Sequence, residues 1–305
     1  MKKKINFLLV ALSCFILLCL YWGRITYDDF KIEQLIFQLK VNQNGLDYNI
    51  IKSFIYTVII PFIIITLTYL FFLNDNFNKL YYEITIINRK INISVVPKKL
   101  ILCGVIIFLS SFSYTCYNIE VPQYLKNNIT SSSFIEQNYV KPENIKFNNK
   151  KNLIHIYVES FESTYTDKIN GGYETYNLIP NLSNLNGINF SHNDKFGGML
   201  ETYGTTWTVA ALVSQTSGIP LNIPIQQNLY NNKNAKFLSG IISIGDILKE
   251  NGYSNNIIFG SDAIFGGRKQ YFMQHGSYNI SDSELAKEKG LIPNDYDEWW
   301  GHEDG

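Results

Sequence analysis

Two residue types in this chain could do chemistry, an alcohol at the start of a helix and a carboxylate at the end of a strand. The alcohol lies in Glu201-Thr-Tyr-Gly-Thr-Thr-Trp-Thr-Val-Ala-Ala-Leu-Val-Ser-Gln-Thr-Ser-Gly-Ile-Pro220, where a glycine and three hydroxyl residues lead into the apolar run Val209 to Val213. That pattern predicts a turn delivering Thr208 to a helix N-terminus. Free backbone N–H groups and the helix dipole favour negative charge there, which suits an anionic substrate and a hydroxyl about to become an alkoxide. An ordinary N-cap would leave the same pattern.

The carboxylate is Glu159. It follows Asn152-Leu-Ile-His-Ile-Tyr-Val158, a run rich in β-branched and aromatic residues that reads as a strand, and Ser160 comes next. Ligands of open α/β sheets bind at the carboxyl ends of strands. A carboxylate there and a helix-start threonine suggest a hard metal ion that activates a hydroxyl for attack at phosphorus. A plain exposed carboxylate at a strand end is the alternative.

The elements that must position these groups follow from the distribution of apolar residues. The chain has 305 residues, 46% of them hydrophobic and 15% aromatic, with zero formal net charge, so nothing points to nucleic acid. The apolar excess is concentrated before residue 118. Lys2-Lys3-Lys4 precede an uncharged run over about 5–23 that predicts a retained membrane helix, and runs over about 53–73 and 100–117 predict two more. Pro61 in the second is tolerable within a membrane helix. The N-terminal lysines and the loop carrying Lys79, Arg89, Lys90, Lys98 and Lys99 are expected on the cytoplasmic side, which places everything after residue 118 outside. The segment Tyr27 to Val41 reads either as lying along the outer surface or as a solvated loop.

Residues 1–117 are therefore expected to form a membrane domain, 118–150 a polar tether without sustained period, and 151–305 the functional domain. Strand-like and helix-like signals alternate in that last part, which argues for an α/β fold with a mainly parallel sheet. Asn255 to Phe259 reads as a strand, and Ser239 to Gly252 as a core helix capped by Ser239 and closed by Gly252. All four cysteines, Cys14, Cys19, Cys103 and Cys116, fall in the apolar stretches, so the functional domain has no disulfide framework and no thiolate metal site.

Asn152 to Tyr165 (NLIHIYVESFESTY), Pro180 to Leu185 (PNLSNL) and Gly204 to Pro220 (GTTWTVAALVSQTSGIP) resemble the phosphoglycerol transferase I and lipoteichoic acid synthase-like family of the alkaline phosphatase/sulfatase superfamily. The resemblance runs over roughly residues 137 to 305. It implies a membrane-anchored α/β protein, with transmembrane helices followed by a partial sulfatase-like parallel-sheet domain. Glu159 would be a metal ligand, and Thr208 both a metal ligand and the nucleophile that receives phosphoglycerol. Thr205 and Thr206 are set aside because the family's nucleophile directly follows the position of Trp207.

Arg268, in Phe265-Gly-Gly-Arg-Lys-Gln270, corresponds to an arginine that contacts the phosphoglycerol moiety. The family has a tryptophan where this chain has Gly266. His155 and His275 read as structural. Trp300-Gly301 with Asp304 resembles a family loop, in which His302 has no matching role. The implied cofactor is a divalent metal, manganese first, with magnesium or zinc as alternatives.

The implied donor is phosphatidylglycerol at the membrane, and the acceptor a periplasmic glucan or other polysaccharide, or a glycerophosphate polymer. The implied location is the bacterial cell membrane, multi-pass, with the functional domain on the outer side. Lipid phosphoethanolamine transferases, whose soluble domains carry disulfides, and a non-catalytic membrane-anchored module are the competing readings. Family members take further metal ligands from an Asp-His pair beyond the position of Gly305. The expectation is therefore a piece of a longer enzyme, inactive alone.

Overall fold

The computed structural model describes residues 2–28, 30–39, 48–73, 81–86, 89–94, 100–129, 137–159, 161–185, 187, 196, 202–221 and 237–296, with backbone alone for 2, 81–86, 89–94 and 127–129. The chain divides into two compact units, one of residues 1–137, 258–265 and 281–305, the other of residues 138–257 and 266–280.

The first unit holds the apolar helices. Helix α1 spans Lys2–Tyr27, α2 Ile32–Gln38 and α3 Tyr48–Phe54; the chain then passes through π-helical Ile55–Ile59 into α4, Ile60–Phe72. Strands β1 (Tyr81–Ile86) and β2 (Arg89–Ser94) form an antiparallel hairpin. That hairpin occupies what the sequence suggested only as a basic loop; Lys79, Lys98 and Lys99 lie outside the described residues. Helix α5 follows at Leu100–Asn118 and α6 at Val121–Ile129.

Three helical stretches, Lys3–Tyr27, Tyr48–Phe72 and Leu100–Asn118, are long and apolar enough to cross a membrane. The second begins earlier than the sequence suggested because the π-helical turn joins α3 to α4. Pro61 sits just after that wide turn, where its missing N–H and bulky ring are accommodated.

The cost of polar groups among these helices is met by pairing. Asn6, only 1% exposed, donates from Nδ2 to the Leu100 carbonyl at 2.6 Å and accepts from the Tyr69 hydroxyl at 2.5 Å. A Cβ on Gly104 would lie 2.9 Å from Asn6 Nδ2, so the glycine permits this close packing of α1 on α5. Near the opposite ends of these helices, Arg24 donates to the Asn118 carbonyl at 3.2 Å.

After the apolar helices come α7 (Pro180–Ser183), α8 (Thr208–Ser217), α9 (Ile244–Glu250), β3 (Asn256–Ile258), α10 (Arg268–Gln274), β4 (Asn279–Ser281) and α11 (Ser283–Glu288). Strands β3 and β4 pair as a two-stranded sheet, and the Asn279 N–H to Asn255 carbonyl and Phe259 N–H to Ser281 carbonyl bonds make it parallel. The α/β character is therefore present, with a far smaller sheet than expected.

Asn152 to Val158, predicted as a strand, joins no ladder; Ile154 and Ile156 are 83% and 75% exposed. Its apolar residues on both faces suit a strand buried within a sheet, and the described residues place no neighbouring strand beside it.

Helix α9 starts later than expected. Its N-cap is Ser243, not Ser239, because Ser243 and Asp246 form a reciprocal capping box. Its end is as expected: Gly252 has φ 76°, its N–H reaches the Lys249 carbonyl at 2.9 Å, and the Tyr253 N–H reaches Leu248 at 3.0 Å, which together make a Schellman motif. The expected tether is docked at its far end. Asn251 accepts from the Phe147 N–H at 3.2 Å and donates to the Ile145 carbonyl at 2.8 Å, and the Phe147 ring packs on Tyr253.

Candidate functional site

Helix α8 begins after a tightly tied turn. The Thr205 hydroxyl donates to the Thr202 carbonyl at 2.8 Å and accepts from its N–H at 3.2 Å, so this competitor to Thr208 is engaged locally. Gly204, at φ 74°, accepts from the Leu221 N–H at 2.8 Å, and a Cβ there would lie 2.8 Å from the Leu221 carbonyl. Only glycine allows both the conformation and the approach. The bond ties the chain entering α8 to the chain leaving it.

Thr208 is the first helical residue, and Trp207, extended at φ −140°, is the N-cap without a side-chain cap bond. The ordinary N-cap reading of Thr208 is thereby corrected. Its hydroxyl donates to Glu159 Oε1, 49 residues earlier in the chain. Val209, Ala210, Leu212 and Val213 are buried, so the apolar run serves as the helix's anchoring face.

Glu159 is exposed at the end of the exposed 151–158 segment. His155 and Tyr157 stack within that segment, with ring centroids 4.1 Å apart. Tyr157 is the segment's half-buried residue, and burial, with Tyr278 and Tyr271 nearby, pushes its hydroxyl above the ordinary tyrosine range. Ser160 lies outside the described residues.

Arg268 opens α10 and is 9% exposed. Gly266 and Gly267 before it are both left-handed, at φ 69° and 77°. A Cβ on Gly266 would meet Val209 Cγ2 at 2.9 Å, so this turn packs on the first turn of α8. Further along, the Thr216 and Tyr271 hydroxyls are 2.7 Å apart. Both contacts join the chain around α10 to α8, the first at the first turn of α8 and the second near its end. Gly266 lies two residues before Arg268 and Val209 directly follows Thr208, so the start of α10 is near the start of α8. A side chain in place of Gly266, such as the family's tryptophan, has no room in this turn.

Sequence reasoning missed the structure behind α10. His275 caps that helix, with Nε2 2.6 Å from the Phe237 carbonyl and Nδ1 3.2 Å from Asp246 Oδ2. The Ser243-x-x-Asp246 spacing just before Ile247-Leu248 was the available signal for the partner helix.

As a metal site, the arrangement has two hard oxygen donors from separate parts of the chain. No group of three or more His, Cys, Asp or Glu suited to a metal occurs among the described residues. Trp300, Gly301, His302 and Asp304 lie outside them.

Comparison with known proteins places this geometry in context. The chain is 31% identical over 156 residues to a phosphoglycerol transferase I of Xanthomonas campestris pv. campestris (strain B100), covering 51% of this chain and 21% of that protein. It is 33% identical over 168 residues to the phosphoglycerol transferase I of Salmonella choleraesuis (strain SC-B67), covering 54% of this chain and 21% of that protein. The chain thus spans about a fifth of the length of these curated relatives. No family model matches the chain, and no solved structure matches it.

Proposed function

We propose that this relative of the phosphoglycerol transferases is a multi-pass membrane protein whose α8 threonine accepts the glycerophosphate group of phosphatidylglycerol, with the 138–257 and 266–280 unit on the outer side. A periplasmic glucan is the first choice of final acceptor and a glycerophosphate polymer the second. The observation that carries the reading is the hydrogen bond from Thr208 to Glu159, which joins the two residues picked for chemistry.

The implied cofactor is a divalent cation, manganese before magnesium or zinc. Two oxygen donors suit one edge of a hard cation's shell, and the remaining ligands are not among the described residues. A bound dication would lower the pKa of the Thr208 hydroxyl and shield the phosphate charge.

The chain's own residues then act as follows. Glu159 orients Thr208 Oγ1 and accepts its proton. The N–H groups of the first turn of α8, left without a side-chain cap by Trp207, favour the phosphate anion. Arg268, at the neighbouring helix start, offers a forked donor to the phosphodiester. Thr208 Oγ1 forms a bond to phosphorus, the bond from phosphorus to the diacylglycerol oxygen breaks, and the alcohol leaves with a proton. An acceptor hydroxyl reverses the process and regenerates threonine.

The test is mass analysis of the Thr208 peptide after incubation with phosphatidylglycerol vesicles and manganese. A glycerophosphoryl adduct on wild type that is absent from Thr208→Val and after chelation supports the reading. Glu159→Gln is expected to reduce adduct formation at least 100-fold, about 2.7 kcal/mol of barrier. An adduct from phosphatidylethanolamine alone would make the chain a phosphoethanolamine transferase. Absence of both adducts and of manganese binding would leave a non-catalytic module.

A further inference from the structure

The best-built polar cluster outside the proposed site surrounds His275, which is 6% exposed. Its Nε2 faces the Phe237 carbonyl, which can only accept, so that nitrogen carries a hydrogen. Its Nδ1 faces the Asp246 carboxylate, which when ionised also only accepts. Both bonds are made at once by the doubly protonated ring alone.

The groups around the ring fix its partners in turn. Phe237 donates its N–H to Gln274 Oε1 at 2.6 Å, so the end of α10 holds that backbone through both its N–H and its carbonyl. Asp246 Oδ2 also accepts the Ser243 N–H at 2.8 Å as part of the α9 capping box. The Tyr271 ring lies 4.9 Å from the imidazole.

We propose that His275 is held as an imidazolium between Asp246 and Phe237, and that this charge is a pH-sensitive clamp fixing the C-terminal end of α10, the helix that begins with Arg268. His275 is thus a positioning residue. Its consequence for phosphodiester binding rests on the reading of Arg268 above, whereas the clamp itself concerns only the folded chain.

The titration follows from the contacts. Burial pushes the imidazole down, and the bonds to Asp246 and the Phe237 carbonyl outweigh it, so the net shift is upward from 6.5. Burial pushes the Asp246 carboxyl up, and the bonds from His275 and Ser243 outweigh it, so the net shift is downward from 3.8. The other titratable groups facing the cluster are Tyr271 and Tyr278. Burial raises both, Tyr271 to about 12, so they stay neutral throughout.

A raised folded value gives stability that is fully present below 6.5 and lost as pH rises through the shifted value. The depressed Asp246 gives stability that is present above 3.8 and lost as pH falls through its own shifted value. The clamp is therefore closed between pH 3.8 and 6.5 and opens as pH rises through the raised His275 value.

The experiment uses the full chain in detergent with ¹³C-labelled histidine, titrated from pH 5 to 9.5. The chain has four histidines, and the His275 signal is assigned by its loss in His275→Gln. Its midpoint is expected above 6.5, and Asp246→Asn, which keeps an oxygen for the Ser243 N–H, is expected to lower it by about one unit or more.

Trypsin supplies the second readout, as the ratio of cleavage after Lys269 to cleavage after Lys289. That ratio is expected to rise several-fold in wild type as pH passes the His275 midpoint and to be pH-independent in His275→Gln. A His275 midpoint at or below 6.5, or one unmoved by Asp246→Asn, overturns the charged clamp. A flat wild-type trypsin ratio overturns the control of α10. Neither measurement requires transfer activity, so failure of the transferase reading leaves both outcomes readable.

Discussion

Residues 237–257 with 266–280, and residues 151–159, belong to one compact unit and hold their chemistry in opposite ways. In the first region, Phe237, Tyr271 and Phe272 are buried, and Ser243, Asn255 and His275 each bond across elements. In the second, a carboxylate ends an exposed extended segment and is joined to Thr208 by a hydrogen bond. The rigid side fixes the ends of two helices, whereas the open side leaves its carboxylate accessible to an incoming ligand. A site of this kind separates scaffold from chemistry, and substitutions should reveal the separation as very unequal losses of stability.

The largest loss is expected at Gly245. A Cβ there would meet the Tyr278 ring and lie 2.7 Å from the His275 carbonyl. Gly276 presses from the other side, its own added Cβ falling 2.7 Å from Gly245 Cα. The neighbours are backbone and a packed ring, so they cannot yield cheaply. Gly245→Val is expected to destabilise this unit by about 3 kcal/mol, read as a lower denaturation midpoint with unchanged slope. A shift under about 1 kcal/mol would show that the crossing of α9 with residues 275–278 is looser than described.

Next comes Asn255, whose side-chain amide donates to the Gly245 and Gly276 carbonyls, each at 2.8 Å, from a site 6% exposed. Asn255→Ala leaves two buried carbonyls without that donor, at an expected cost of roughly 2–3 kcal/mol. Tyr271→Phe removes the hydroxyl paired with Thr216 and is expected to cost about 1 kcal/mol. In that variant the contact at Thr216 should loosen while the Val209–Gly266 contact persists. Thermal unfolding of the three variants should rank them in that order.

The same contrast explains what could be read from sequence. The helix at Thr208 was legible because turn residues precede an apolar face with helical spacing, and both signals are local. Gly252 was legible for the same reason, as a glycine closing a helix. Glu159 was read as the end of a strand; it meets the Thr208 hydroxyl, although its segment joins no ladder among the described residues. The reason is that β-branched alternation records what a segment would pack against, and pairing depends on another part of the chain. The charged bonds of His275 were not legible, since Phe237, Asp246 and His275 are brought together only by the packing of α9 and α10. The Gly266–Val209 contact beside Arg268 was not legible, since it depends on packing between separate parts of the chain.

The smallest expected effect lies in the open region. Ile154→Ser and Ile156→Ser remove large apolar groups that are 83% and 75% exposed, so each is expected to change stability by less than about 0.5 kcal/mol. The residues nevertheless form part of a pattern suited to burial on both faces. If either serine variant costs more than about 1.5 kcal/mol, the segment is covered in solution by a strand or helix, and the contrast between the two regions fails. If both are neutral while Glu159→Gln still abolishes the Thr208 adduct, the carboxylate acts from an uncovered segment. Its position then depends on the Thr208 bond and on Tyr157, the half-buried residue of that segment.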